Sequence, residues 1–388
     1  MNYQVVLKKI TNLYKNSSMP IYMDFHDMPD GVTAAHVAEM HQADLKIEHK
    51  YNCRGLTYWC DEKRQTAFCL IEAPNEEAIR DLHNEAHGDA PMRIIQVNDQ
   101  IVESFLGRIE DPEKSQNTQL NIINDPAFRT LLVVKFEKRA LRSTALHTLE
   151  AALRGYRKSI VSSVSTLKGR LVKQEATSFL MSFASVSNAV DCALHIQELY
   201  NAVITPDLVF KIGISAGIPV TDKKGIFEDT IQMATRFTNI EPSKIVISPE
   251  VKDLYESENL NIAVNRKKIR ALSPTEEQFL VQFMEFVEKE WRNPALNVDD
   301  FSKNLGYSKS KLYRIMMAVV GKSINGFLKD YRLERALKLL DTHTKNISEI
   351  AFETGFNSAA YFTKCFIQKF EVLPSAYAKT DYNNKTTP

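Results

Sequence analysis

The sequence predicts a multidomain chain of mixed class, two α+β units followed by an all-α unit, and three observations carry that expectation. Two stretches alternate strand-like and helix-like patterns, whereas the last hundred residues keep a helical period. The 388 residues exceed one ordinary domain, for which about 150 is a fair prior. Charge is also partitioned: the chain nets +1, yet residues 20–98 hold 14 acidic and 7 basic residues, and residues 296–380 hold 13 basic and 8 acidic. The acidic end carries six of the nine histidines, and the basic end interleaves aromatics. Such asymmetry directs nucleic acid to the second end and away from the first.

Composition narrows the class further. With 44% hydrophobic and 25% charged residues, 13 Gly and 14 Pro, the chain is globular rather than collagen-like or low-complexity. No apolar run approaches the roughly 18 residues of a spanning helix, and the first residues lack a signal-peptide pattern. The expected location is the cytoplasm, with no membrane partner. Cys53, Cys60, Cys69, Cys192 and Cys365 are odd in number and form no CxxC, which excludes a disulfide framework and a thiolate zinc finger.

Elements of the first unit follow in order. PIYMDFHDM is an apolar and aromatic strand halted by PDG, and VTAAHVAEMHQADLKIEHKY is a helix with Thr33 as its cap. GLTYWC and TAFCLIEA form a hairpin across DEKRQ; Asn75 caps NEEAIRDLHNEAHG, Gly88 ends it, and MRIIQV is the last strand. The order βαββαβ is the split βαβ pattern, a ferredoxin-like domain expected over residues 19–98. Residues 99–127 are polar and turn-rich and read as a linker with one short helix near IVESFLGRI.

The second unit, expected over 128–258, is an α+β sandwich. Its strands are TLLVVKF, RLVKQEA, SFLMSFA, VFKIGISAGIPV and KIVISP, interleaved with the helices HTLEAALRGYRKSIVSSV, SNAVDCALHIQELYNAV and DTIQMATRFTNI. The third, expected over 273–380, holds two helix-turn-helix segments. LNVDDFSKNLGYSKSKLYRIMMAVVG packs Val298, Phe301, Leu305, Leu312 and Ile315 together, with Ser308 capping its second helix. Ser308, Lys309, Ser310, Lys311, Tyr313 and Arg314 crowd the start of that helix, where base edges and phosphates are reached. NISEIAFETGFNSAAYFTKCFIQKF repeats the pattern around Gly355, exposing Asn357, Ser358, Tyr361 and Lys364. SINGFLKDYRLERALKLL joins them as a helix of roughly 27 Å, close to one turn of duplex.

Candidate metal ligands lie in the first unit. His83 and His87 are four apart on a helix and share a face; His41 and Asp44 do the same on the first helix. Asp24 and His26 alternate on the first strand and so share a sheet face. Imidazoles with carboxylates suit Ni, Zn, Co or Cu. Cys69, on a strand expected to be buried, reads as packed core, and His36 and His49 as surface residues.

Three resemblances add to this reading. RLERALKLL, ISEIAFETGFNSAAYFTKCF and LPSAY resemble the AraC-type DNA-binding domain, which implies binding to double-stranded promoter DNA, transcriptional control and RNA polymerase as a further partner. NSAAY, with Ala359 and Ala360, departs from a polar recognition helix. GRLVKQEATSFLMSFASVSNAVDCALHIQELY, KIGISAGIPV and IQMATRFTNIEPSKIVIS resemble class III nucleotide cyclase domains. The two metal-holding aspartates of that family are missing at Arg139 and Thr177, and its Asn-x-x-x-Arg reads Gln232 and Arg236. That resemblance therefore implies a cyclase-like domain without catalysis. DFHDMPDGVTA, HQADL, LTYWCDE, AFCLIEAPNEEA and LHNEAHG resemble a small family of ferredoxin-like nickel-binding proteins. It implies a homodimer and a metal held by histidines; the matching positions are His26, His41, His83 and His87, with Cys69 and Tyr58 nearby in the pattern. The expectation is a non-enzymatic, DNA-binding transcriptional regulator modulated by Ni²⁺ or another divalent transition metal. The alternatives are sensing of a small organic ligand or nucleotide through the first two domains, and an active purine nucleotide cyclase.

Overall fold

The computed structural model describes residues 19–112, 120–138, 141, 143–201, 208–240, 245–260 and 262–385, the side chains of 138, 143–153 and 380–385 excepted. Arg139 lies outside them. The chain divides into two units, one comprising the chain to Phe128 with Ile218–Glu228, the other Arg129–Gly217 with the chain from Asp229.

The first unit carries β1 (Ile21–Asp27), α1 (Ala34–Ile47), β2 (Arg54–Asp61), β3 (Thr66–Glu72), α2 (Glu76–Ala86) and β4 (Arg93–Val97). The four strands form one antiparallel sheet ordered β2-β3-β1-β4. Thr33 starts α1, its backbone N–H donating to His36 Nδ1 at 3.1 Å, and the Asn75 side chain accepts from Ala78 N–H at 2.9 Å to start α2. Val37, Ala38, Ile79 and Leu82 of the helices pack on Tyr22, Tyr58, Cys60 and Ile71 of the sheet.

The expected linker opens with the short helix read near IVESFLGRI, α3 (Asp99–Leu106), capped by Asn98 and ended by Gly107, and its residues 121–125 lie against the edge strand β2. Cys60 N–H donates to Asp125 O at 3.2 Å, while Tyr58 Oη donates to Asn121 O at 2.7 Å and accepts from Ile123 N–H at 2.8 Å. Arg108 spreads over the Trp59 ring at 4.4 Å and donates to Tyr58 O at 2.6 Å. A strand edge left open has unpaired backbone groups, and these contacts cover it.

In the second unit β5 (Arg129–Lys138), α4 (Ser143–Thr166), β6 (Arg170–Gln174), β7 (Ser178–Phe183), α5 (Val186–Asn201) and β8 (Leu208–Gly217) come first. Then follow α6 (Glu228–Phe237), β9 (Ile245–Ile247), α7 (Pro249–Glu258) and β10 (Ile269–Ala271). The sheet is mixed and six-stranded, ordered β10-β9-β8-β5-β7-β6, with β8-β9 and β9-β10 parallel. Its first four strands in the chain lie as β6-β7-β5-β8, the same permutation as β2-β3-β1-β4.

The helical region comprises α8 (Pro274–Glu290), α9 (Val298–Leu305), α10 (Lys309–Val319), α11 (Ile324–Leu340), α12 (Ile347–Glu353), α13 (Ala359–Phe370) and α14 (Pro374–Lys385). Phe301, Leu312, Met316 and Phe327 share one core with Phe279 and Phe283 of α8 and with Phe237 and Val246 of the sheet layer. Ile350, Phe362 and Phe366 form a separate core with Leu333 and Leu340 of α11. Charges tie the helices to the sheet. Lys369 Nζ lies 3.5 Å from both Glu137 and Glu334, Lys135 meets Glu334 at 2.8 Å, and Lys211 meets Glu137 at 2.7 Å.

The two turn glycines differ in cost. Gly306 and Gly355 both have positive φ, +71° and +81°, but a methyl on Gly306 meets open space, whereas one on Gly355 would sit 2.7 Å from Trp291 O and 2.9 Å from Arg332 Nε. Arg332 in turn donates to Trp291 O at 2.8 Å and Asn293 O at 2.7 Å, so α11, the end of α8 and the second turn are locked together. Gly355→Ala is expected to destabilise by about 2–4 kcal/mol and Gly306→Ala by about 1 kcal/mol. Urea unfolding of the two variants checks the order.

Candidate metal centre and nucleic-acid interface

The face of the first sheet that packs on α1 and α2 is apolar except at its centre. Asp24 and His26 of β1 are 1% and 5% exposed, and the register that pairs Met23 with Leu70 and His26 with Ala67 puts Asp24 opposite Cys69. Cys69 N–H donates to Asp24 Oδ1 at 2.8 Å. From the helix layer, His83 Nε2 comes to 3.1 Å from Asp24 Oδ2. His83 Nδ1 lies 2.9 Å from His87 Nε2 and 3.6 Å from Asp44 Oδ2, and His87 Nε2 lies 3.3 Å from Asp44 Oδ1. His26 Nδ1 meets Asp89 Oδ2 at 3.2 Å.

Two triads of metal-type donors result, Asp24–His26–Cys69 and Asp44–His83–His87, each with ligand atoms within 4.8 Å of one another. Their electrostatics follow from burial. Burial would raise the Asp24 carboxyl, yet His26 and His83 hold it well below the ordinary carboxylate range. Burial would lower His26, and Asp24 with Asp89 raises it well above the usual imidazole value. Burial pushes the Cys69 thiol up to about 12. Met28, Val32, Val37 and Met40 wall a cavity that His26 and Cys69 of one triad and Asp44, His83 and His87 of the other also line.

Of the sequence-predicted ligands, His26, His83 and His87 come together here. His41 is buried beside them but belongs to neither triad: its ring lies 5.0 Å from that of Tyr58 and its Nε2 3.8 Å from Asp111. Burial lowers its pKa in spite of Asp111. Asp24 and Asp44 were visible as neighbours of His26 and His41; Cys69 and Asp89 carried no local signal. His36 and His49 are exposed.

In the helical region Ser308 and Ser358 serve as caps, their hydroxyls accepting from Lys311 N–H and Tyr361 N–H at 3.3 Å. Lys309, Ser310, Lys311, Tyr313 and Arg314 are exposed at the start of α10, as are Asn357, Tyr361 and Lys364 around the start of α13. Lys309 meets Asp299 at 2.5 Å, Lys311 lies 4.6 Å from the centre of the Tyr307 ring, and Asn357 donates to Pro294 O at 3.4 Å. In the middle sheet layer, Arg236 is buried and its guanidinium donates to Glu288 at 2.9 Å, an internal ion pair. Thr177 spends its carbonyl on Phe136 N–H at 2.8 Å. No helix among the described residues is long and apolar enough to cross a membrane.

The chain combines a tandem helix-turn-helix joined by one helix with a small four-stranded antiparallel sheet of its own. Residues 301–380 match the family described as helix-turn-helix domain, and residues 22–97 match the family described as nickel responsive protein SCO4226-like. The regulatory protein SoxS of Salmonella typhimurium is 30% identical over 101 residues, which are 26% of this chain and 94% of that protein. SCO4226 of Streptomyces coelicolor, a solved structure, is 34% identical over 20% of this chain and 94% of its own, with a TM-score of 0.19. The histidine kinase P4 of Formosa agariphila is 32% identical over 157 residues, 40% of this chain. The chain spans only about a tenth to a third of the first curated relatives it matches. The chain belongs to the AraC-type family of helix-turn-helix proteins and carries an N-terminal SCO4226-like domain.

Proposed function

We propose that this protein is a transcriptional regulator that binds promoter DNA through α10 and α13 and responds to a divalent transition metal, nickel first, at the buried centre of its N-terminal domain. The observation that carries the metal reading is a set of buried donors that face one another without hydrogen-bond geometry. Asp24 Oδ2 and His83 Nε2 lie 3.1 Å apart, His26 Nε2 lies 3.6 Å from Asp24 Oδ1, and His87 Nε2 lies 3.3 Å from Asp44 Oδ1. Buried polar atoms are normally paired, and imidazole with carboxylate is the donor chemistry of borderline divalent ions, so these residues fit such an ion. His83 and His87 with Asp44 would hold it, His26 stands alongside, and His41 supports from the Tyr58 side. When bound, the ion supplies positive charge beside the buried carboxylates.

On the DNA side, Ser308, Lys309, Ser310, Lys311, Tyr313 and Arg314 meet one major-groove segment, and Asn357, Ser358, Tyr361 and Lys364 the next. Asn357 already holds Pro294 O and contributes chiefly position. The sandwich of 128–258, which we read as a cyclase-like domain without catalysis, docks the helices of 273–380; the ion pair of Arg236 with Glu288 supports that reading, because it occupies the cation a phosphate would need. We place the protein in the cytoplasm as a homodimer, with RNA polymerase as its further partner.

Two tests follow. Calorimetric titration of the full chain with Ni²⁺, Zn²⁺ and Co²⁺ is expected to show tight nickel binding, weakened by at least about 100-fold in a His83→Ala, His87→Ala double variant; absence of heat with all three ions overturns the metal reading. Lys311→Ala and Arg314→Ala are expected to weaken promoter binding and each to reduce the salt slope by about one. Unchanged affinity across several salt concentrations would remove α10 from the interface.

A further inference from the structure

We propose that Asp24, His26 and Cys69 form a second metal centre, a thiolate site separate from the one at Asp44, His83 and His87. The inference rests on the metal reading above and adds the sulfur donor and the second ion. Three independent features of the sheet assemble it. Asp24 and His26 alternate on β1, and antiparallel pairing places Cys69 of β3 opposite Asp24, so the three side chains leave one face of two adjacent strands. All three residues are more than nine-tenths buried, and carboxylate, imidazole and thiol atoms lie within 4.8 Å of one another.

Each ligand is also oriented from behind. The Cys69 backbone N–H holds Asp24 Oδ1 at 2.8 Å, which fixes the carboxylate plane. Asp89 lies 3.2 Å from His26 Nδ1 and holds the ring proton there, so Nε2, 3.6 Å from Asp24 Oδ1, is the nitrogen that would give up its proton and bind the ion. A carboxylate behind the distal imidazole nitrogen is the support that metal-bound histidines characteristically have. His83 presents Nε2 to Asp24 Oδ2 at 3.1 Å and Nδ1 to the other triad, so the two centres are joined through one imidazole. Binding at the new centre releases the Cys69 thiol proton and the His26 Nε2 proton to solvent as the sulfur–metal and nitrogen–metal bonds form, with no change in oxidation state. A set of one N, one O and one S selects Ni²⁺, Co²⁺ or Zn²⁺ over Mg²⁺ and Mn²⁺.

The test is optical and uses the full chain. Titration with Ni²⁺ and with Co²⁺ is expected to raise a near-ultraviolet thiolate-to-metal charge-transfer band and to reach about two equivalents per chain. Cys69→Ser is expected to abolish the band and remove one equivalent, whereas His83→Ala with His87→Ala keeps the band and removes the other. X-ray absorption of the nickel-loaded wild type, which needs no variant to fold, is expected to show sulfur in the first coordination shell. Metal binding without a band or sulfur scattering overturns this centre and leaves the histidine site standing, as does a band that survives Cys69→Ser. Failure of any ion to bind overturns both.

Discussion

The first domain is organised around one buried charge. Asp24 sits in the middle of a sheet face, 1% exposed, and an ionised carboxylate cannot stay there without partners. His26 from its own strand, His83 from α2 and the Cys69 N–H from β3 supply them, so the carboxylate draws both layers of the sandwich together. This compensation is incomplete, because the contacts of Asp24 with His26 and His83 are ion pairs at 3.6 and 3.1 Å without hydrogen-bond geometry. A polar cluster satisfied only in part is unfavourable for stability alone. The shortfall is what a divalent ion would remove.

The same strand permutation occurs twice with opposite uses. In the first sheet, β2-β3-β1-β4, polar groups converge under the helices and the outer edge is covered by residues 120–127. In the second, β6-β7-β5-β8, charges on β5 and β8 turn toward α11 and α13: Lys135, Glu137 and Lys211 meet Glu334 and Lys369. That ion cluster and the shared core around Phe237, Phe279 and Phe283 make the sheet a platform for the helix-turn-helix region. The starts of α10 and α13 both keep exposed residues, Arg314 on one and Tyr361 and Lys364 on the other, so docking does not cover them.

Local pattern was enough for most helices and most strands, though α7 (Pro249–Glu258) was not read. Gly306 and Gly355 mark both turns, and the connector expected from Ser323 to Leu340 is α11 with Ser323 as its cap. What depends on long-range register was not legible. Cys69 read as packed core because its relation to Asp24, 45 positions away, exists only once β1 and β3 pair. Asp44 read as a partner of His41, yet the crossing of α1 over α2 turns it to His83 and His87 and leaves His41 to Asp111. Residues 120–127 look like a linker because an edge-covering segment needs backbone groups more than apolar side chains. β10 carries no alternation over three residues with Arg270 at their centre, so the sheet runs past the expected boundary at 258 to Ala271. Ion pairs such as Arg236 with Glu288, 52 positions apart, are equally invisible to spacing.

The central claim is a coupling: occupancy of the N-terminal centre must differ in free energy between DNA-bound and DNA-free protein, or it regulates nothing. The direct measurement is the affinity of the full chain for a duplex it has itself selected from a random pool, at one fixed salt concentration, with and without saturating Ni²⁺. The account predicts a shift of about tenfold or more, equivalent to about 1.4 kcal/mol of coupling, that disappears when His83 and His87 are both alanine. Equal affinities with nickel bound and absent would contradict it.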